Sequence, residues 1–172
     1  MRHSKINQMT RCALSAAMMA VCAWITVPGP VPFTLQTFGL FQTLELLGGK
    51  RGTWAIATYL LLGVLGLPVF SGFRGGISVL LGATGGYLTG FMACGLVYRA
   101  LTKCRVSPLP ALVCGMAACY TFGTAWFYLA YAGGKSLWAV VSTCVLPFLI
   151  PDALKLALAH VVAQRLKKAG LS

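Results

Sequence analysis

The sequence predicts an all-α membrane protein with six transmembrane helices, and three observations predict it. Hydrophobic residues make up 58% of the 172 and charged residues 9%, where a soluble domain carries about a quarter charged. The apolar residues fall in runs that approach the length needed to cross a bilayer, separated by short breaks bearing Pro, Gly, Lys or Arg. The net charge of +12 is gathered into those breaks, which is how a membrane protein encodes its topology, not how a nucleic-acid surface is laid out. The length suits one integral membrane domain over residues 1–172.

The first span is the apolar run 12–27, preceded by Arg2, Lys5 and Arg11. It resembles a signal peptide but lacks a small-residue cleavage site, and further spans follow. Ala13, Ala16, Ala17 and Ala20 form two overlapping small-xxx-small pairs on it, which permit close helix approach. Pro28, Pro30 and Pro32 then forbid helix, so 28–33 is an extended loop ending in the aromatic Phe33. Residues 34–48 make a weaker second span containing Gln36, Gln42 and Glu45, with Lys50 and Arg51 beyond it. Glu45 reads as charge balance for that basic pair at the interface.

The third span is 53–67. Residues 68–76 form a loop, and Ile77 to Leu81 a short re-entrant or loop-packed piece. The fourth span runs over 86–98, with Gly86 and Gly90 spaced for packing. The fifth is 109–132. Residues 136–147 are apolar but too short to cross. The last span begins near Asp152 and ends among Arg165, Lys167 and Lys168.

Six spans place the N-terminus, the 49–52 and 99–108 loops and the C-terminus on one side. Those segments hold 11 of the 14 Lys and Arg, so that side is cytoplasmic and both termini lie there. The three connections on the opposite side each carry a proline–aromatic element: Pro32-Phe33, Pro68-Val69-Phe70 and Pro147-Phe148. Arg74, Asp152 and Lys155 fall on the same outer side. Aromatics with a few convergent polar groups describe a small-molecule site.

Asp152 is one of two acidic residues in the chain, and Lys155 follows it at i+3, on one helix face. Pro151 suits the first turn of a new helix, which would put Asp152 where the dipole favours a negative charge. An ionisable pair in an apolar segment marks function by default, although a self-neutralising structural pair is the competing reading. Seven cysteines without a C-x-x-C, and only two histidines, argue against metal or redox chemistry. No G-x-x-x-x-G-K-[ST] motif occurs, so the chain does not itself hydrolyse ATP through a P-loop.

Four stretches carry a family resemblance: Pro30-Val31-Pro32-Phe33-Thr34-Leu35-Gln36-Thr37-Phe38; residues 60–70, ending Leu67-Pro68-Val69-Phe70; Leu81-Gly82-Ala83-Thr84-Gly85-Gly86-Tyr87-Leu88; and Pro151-Asp152-Ala153-Leu154-Lys155-Leu156-Ala157. In that order they resemble the BioY family, the biotin-specific S component of energy-coupling factor (ECF) transporters. Ala83 departs from the family, which often has proline there. The resemblance implies a six-helix S-component fold in the cell membrane that captures biotin from the outer side. It implies no enzymatic activity and no cofactor or metal. The partners it implies are an ECF transmembrane coupling subunit and ATPase subunits, with Ala13, Ala16, Ala17 and Ala20 as the docking face. It also implies a substrate-binding set of Phe33, Thr34, Gln36, Phe70, Arg74, Gly86, Tyr87, Asp152 and Lys155. The chemistry suits that ligand. The ureido N–H groups need an acceptor and the ureido carbonyl a donor, which Asp152 and Lys155 supply. The ring would stack on Phe33, Phe70 or Tyr87, and Arg74 or Lys155 would take the carboxylate. The alternatives are a small intramembrane enzyme using Asp152 and Lys155 as acid and base, or a solitary biotin carrier.

Overall fold

The computed structural model describes residues 2–27 and 33–170. Its element order is α1 (Arg2–Trp24), β1 (Thr26–Val27), β2 (Phe33–Thr34), α2 (Gln36–Val64), α3 (Ile77–Leu81), α4 (Gly85–Lys103), α5 (Pro108–Tyr131), α6 (Leu137–Cys144) and α7 (Leu146–Lys168). The proline stretch 28–32, expected as an extended loop, lies outside the described residues. Its flanks are extended and pair antiparallel, Thr26 with Thr34 and Val27 with Phe33. That pairing seats Phe33 and Thr34 immediately before α2.

The second and third expected spans are nearly continuous. α2 runs through both and is broken at Gly48, whose φ of 74° and ψ of 168° are non-helical. A residue without Cβ adopts such a φ at no steric cost. Helix therefore resumes directly on the far side, giving segments 36–47 and 49–64. With these, six long helical segments form among the described residues. Pro108–Tyr131 and the stretch 137–168 are by length and composition apolar enough to cross a membrane.

One boundary differs from expectation. The last helix begins at Leu146, with Pro147 in its first turn, and Pro151 lies inside it. Asp152 is therefore not in a first turn, and the helix dipole does not hold its charge. Pro147 meets the N-terminal preference instead, while Pro151 deprives the Pro147 carbonyl of its usual helical donor. Residues Ile77–Leu81 form one short helix leading into α4.

Lipid tails are as apolar as leucine, so packing between helices rests on close approach of small residues more than on hydrophobicity. α4 and α5 are antiparallel and follow that rule. A Cβ on Gly86 would collide with Trp126, one on Gly90 would lie 3.0 Å from Cys119, and one on Gly115 would lie 2.9 Å from Cys94. On α1, Ala16 and Ala20 are buried, whereas Ala13 and Ala17 are exposed. The four alanines thus belong to two faces, and only Ala13 and Ala17 are open to a partner. A core of Leu40, Phe41, Leu44, Ile56, Tyr59 and their neighbours fills the space among α1, α2, α4, α5 and α7.

The 36–47 segment and α7 run parallel. Thr37 bonds Asp152 and Glu45 bonds His160, both at a sequence separation of 115. This constant register lines up the N-terminal ends of the two helices, where the candidate site forms.

Candidate functional site

Five helices, strand β2 and one loop enclose a cavity. Thr34 comes from β2, and Gln36 and Thr37 from the start of α2; Thr84 caps the start of α4, which supplies Tyr87, Leu88 and Phe91. Met116, Cys119 and Tyr120 come from α5, and Cys144 from α6. Phe148, Asp152 and Lys155 come from α7, and Ser71 from the loop after α2. The walls are mainly apolar and aromatic, and the charged groups converge on one side.

Those charged groups form a closed network. Lys155 Nζ lies 2.8 Å from Asp152 Oδ1. The same ammonium donates to the Thr34 carbonyl at 2.7 Å and to Thr37 Oγ1 at 3.3 Å, which uses its three N–H bonds. It also stands 4.0 Å from the centre of the Phe33 ring, a cation–π contact. Phe33 in turn stacks on Phe148, with centroids 6.5 Å apart. Thr37 Oγ1 donates to Asp152 Oδ1 at 2.8 Å, and Tyr120 Oη donates to Oδ2 at 2.6 Å. Asp152 is 5% and Lys155 7% exposed. A pair this buried is tolerable only when its remaining donors and acceptors are met, and here hydroxyls from α2 and α5 meet them. Asp152 Oδ2, with a single donor on it, has acceptor capacity left.

A family model, the BioY family, matches residues 1–171. The chain belongs to the BioY family. It is 41% identical over 167 residues to the biotin transporter BioY of Thermotoga maritima, covering 95% of this chain and 97% of that one. It is 39% identical over 164 residues to the probable biotin transporter BioY of Pyrococcus horikoshii, covering 95% and 98%. Among solved structures, the crystal structure at 2.1 Å of the S-component for biotin from an ECF-type ABC transporter superposes with a TM-score of 0.87 at 26% identity, over 98% of this chain and 94% of that one. The fold is that of an S-component, and the relatives are named as transporters, not enzymes.

Set in this BioY chain, the sequence-predicted residues divide. Thr34, Gln36, Tyr87, Asp152 and Lys155 line the cavity. Tyr87 is held by Thr124, 3.1 Å from its hydroxyl, and by Gly123, where a Cβ would collide with its ring. Gln36 is tied back, donating to Tyr59 Oη at 2.6 Å. Phe33 touches the network through Lys155 and Phe148 instead of lining the wall. Phe70 does not line the cavity: it is fully buried, packed on Gly63 and edge-on to Tyr59 with centroids 5.6 Å apart. Gly86 does not line it either, and faces Trp126 as the helix-packing glycine its spacing from Gly90 suggested. Arg74 is exposed, and its Nε donates to the Ser71 carbonyl at 3.1 Å, one step from the cavity wall.

Two residues that matter here carried no local signal: Thr37 lay inside the first family motif without a role, and Tyr120 inside an apolar run. Glu45 is also corrected. It does not balance Lys50 and Arg51; it is buried and lies 2.7 Å from His160 Nδ1.

Proposed function

We propose that this chain is the biotin-binding S component of an ECF-type vitamin transporter: a single integral membrane domain, residues 1–172, that captures biotin in the cavity above and passes it inward. The observation that carries the reading is the buried Asp152–Lys155 pair, fixed by Thr37 and Tyr120 on one side of an aromatic-walled cavity. Asp152 Oδ2 would accept a ureido N–H. Lys155 would exchange one of its present acceptors for the ureido carbonyl. Tyr87, Phe91 and Phe148 supply aromatic surface for the apolar bicyclic ring. With all three of its N–H bonds engaged, Lys155 is the poorer partner for the valerate carboxylate. Arg74, exposed beside Ser71, is the better one.

Six long segments and the one-sided clustering of Lys and Arg support six crossings of the cell membrane with both termini in the cytoplasm. The cavity, built at the opposite helix ends, would then open outward. A transmembrane coupling subunit and ATPase subunits are the partners of this reading, and the exposed Ala13 and Ala17 are the surface offered to the first of them. Equilibrium titration of the purified chain with labelled biotin, without ATP or partners, tests the assignment. The reading requires saturable binding that lipoate does not compete. A folded sample that binds neither biotin nor desthiobiotin would end it.

A further inference from the structure

Gln36 lines the cavity and is 5% exposed, so the direction of its amide decides what it offers there. The carbonyl oxygen accepts, the nitrogen donates, and a half-turn of the group exchanges them. A residue outside the cavity wall settles the direction. Gln36 Nε2 lies 2.6 Å from Tyr59 Oη, and Tyr59 Oη lies 2.9 Å from the Val69 carbonyl oxygen. That carbonyl can only accept. Tyr59 has a single O–H, so it donates to Val69 and must accept from Gln36. The reverse orientation would set two acceptors against one proton and leave one of them unmet.

Tyr59 itself has little freedom. It is fully buried, and Phe70 packs edge-on against its ring with centroids 5.6 Å apart. The backbone of Gln36 is fixed as well, because its N–H donates to Thr34 Oγ1 at 3.2 Å. Thr34, through its carbonyl, and Thr37, through its hydroxyl, both accept from Lys155. Gln36 thus stands inside the stretch that holds the charged network, with its side-chain nitrogen committed to Tyr59. Among the described residues its Oε1 takes no hydrogen bond.

We infer that Tyr59 is a positioning residue for ligand recognition: through the relay Val69–Tyr59–Gln36 it holds Gln36 Oε1 as a fixed acceptor for a ligand N–H, and keeps the amide NH2 from being offered in its place. Resting on the biotin reading, this role adds to it a rule of polarity. A ureido ring has two N–H donors and one carbonyl. The cavity residues count to the complement, with Asp152 Oδ2 and Gln36 Oε1 accepting and Lys155 donating. A cyclic carbamate, in which one ring N–H gives way to oxygen, would set acceptor against acceptor. Rejecting it needs an amide that cannot turn, because a free amide would present its nitrogen to the ring oxygen and tolerate the analogue.

Titration of full-length wild type, Tyr59→Phe and Gln36→Leu with biotin and with its two cyclic-carbamate analogues, one for each ring nitrogen, tests this. Wild type should prefer biotin to both. Tyr59→Phe should bind biotin roughly three- to tenfold more weakly. It should also lose the preference over one analogue, while the preference over the other, set by Asp152, stays. Gln36→Leu should lose the same preference, and adding Tyr59→Phe to it should change that preference no further. Equal weakening of all three ligands in Tyr59→Phe would overturn the inference, since the loss of a merely structural phenol leaves their rank order alone. So would a wild type that binds biotin and both analogues alike. A folded wild type that binds no biotin would overturn the transporter reading and the role of Tyr59 with it. Should Tyr59→Phe fail to fold, hydrogen exchange of the Gln36 side-chain amide in ligand-free wild type, assigned by its absence in Gln36→Leu, gives the answer. The amide must be protected, and exchange as fast as in an exposed glutamine would overturn the role of Tyr59.

Discussion

Tyr120 donates its hydroxyl proton to Asp152 Oδ2 across 2.6 Å, so the carboxylate carried by α7 is aimed from α5. A carboxylate free to rotate would have to be ordered by the ligand on binding. Tyr120→Phe removes the donor and keeps the ring. A hydrogen bond to a charged group is worth about 1.5–3 kcal/mol, so biotin affinity should fall by roughly ten- to a hundredfold. Titration of the variant against wild type reads this directly, and an unchanged dissociation constant would show that Tyr120 serves stability alone.

That bond also shows where reading from sequence stops. The helical class, the runs and the Asp152–Lys155 pair are legible because composition, periodicity and an i, i+3 spacing are local properties. Tyr120 carries no such signal, because a tyrosine in an apolar run looks the same whether it faces lipid or a carboxylate. The Thr37–Asp152 and Glu45–His160 pairs span 115 residues and exist only once α2 and α7 take a common register. Pro151 misled for another reason: a proline marks a helix start only when no better start lies just upstream, and Pro147 was that start. The proline–aromatic elements placed Phe33 and Phe148 together correctly, yet could not separate them from Phe70, whose ring turns into the core.

Phe70 and Tyr87 should therefore behave oppositely. Phe70→Leu leaves space against Gly63 and Tyr59 and should lower the midpoint of thermal unfolding, with biotin affinity retained in the folded fraction. Tyr87→Leu should cost affinity first. Melting curves and titrations on both variants check the contrast. A loss of binding in Phe70→Leu without loss of stability would return Phe70 to the site.

The two alanine faces on α1 give a paired prediction. Ala16 is buried, so Ala16→Leu overpacks the bundle and should destabilise it by about 1–3 kcal/mol. Ala17 is exposed, so Ala17→Leu should leave folding and biotin binding intact while blocking uptake in cells that hold the coupling and ATPase subunits. Uptake and binding measured side by side decide it. Normal uptake in Ala17→Leu would remove that face from the partner contact.

Gly86→Ala should destabilise by a similar ~1–3 kcal/mol, because its new Cβ meets Trp126 across the α4–α5 contact. The effect belongs to helix packing, so thermal unfolding should register it more strongly than biotin affinity does. An unchanged melting midpoint would mean that α4 and α5 are not in such close contact.

The most direct measurement compares biotin titrations of wild type and the double variant Asp152→Leu with Lys155→Met, each alongside its thermal unfolding curve. Replacing a whole buried ion pair by apolar residues of similar size is often neutral or stabilising, whereas removing one partner is costly. The double variant should therefore fold, be more stable than either single variant, and bind no biotin. Wild-type affinity in the folded double variant would contradict the site.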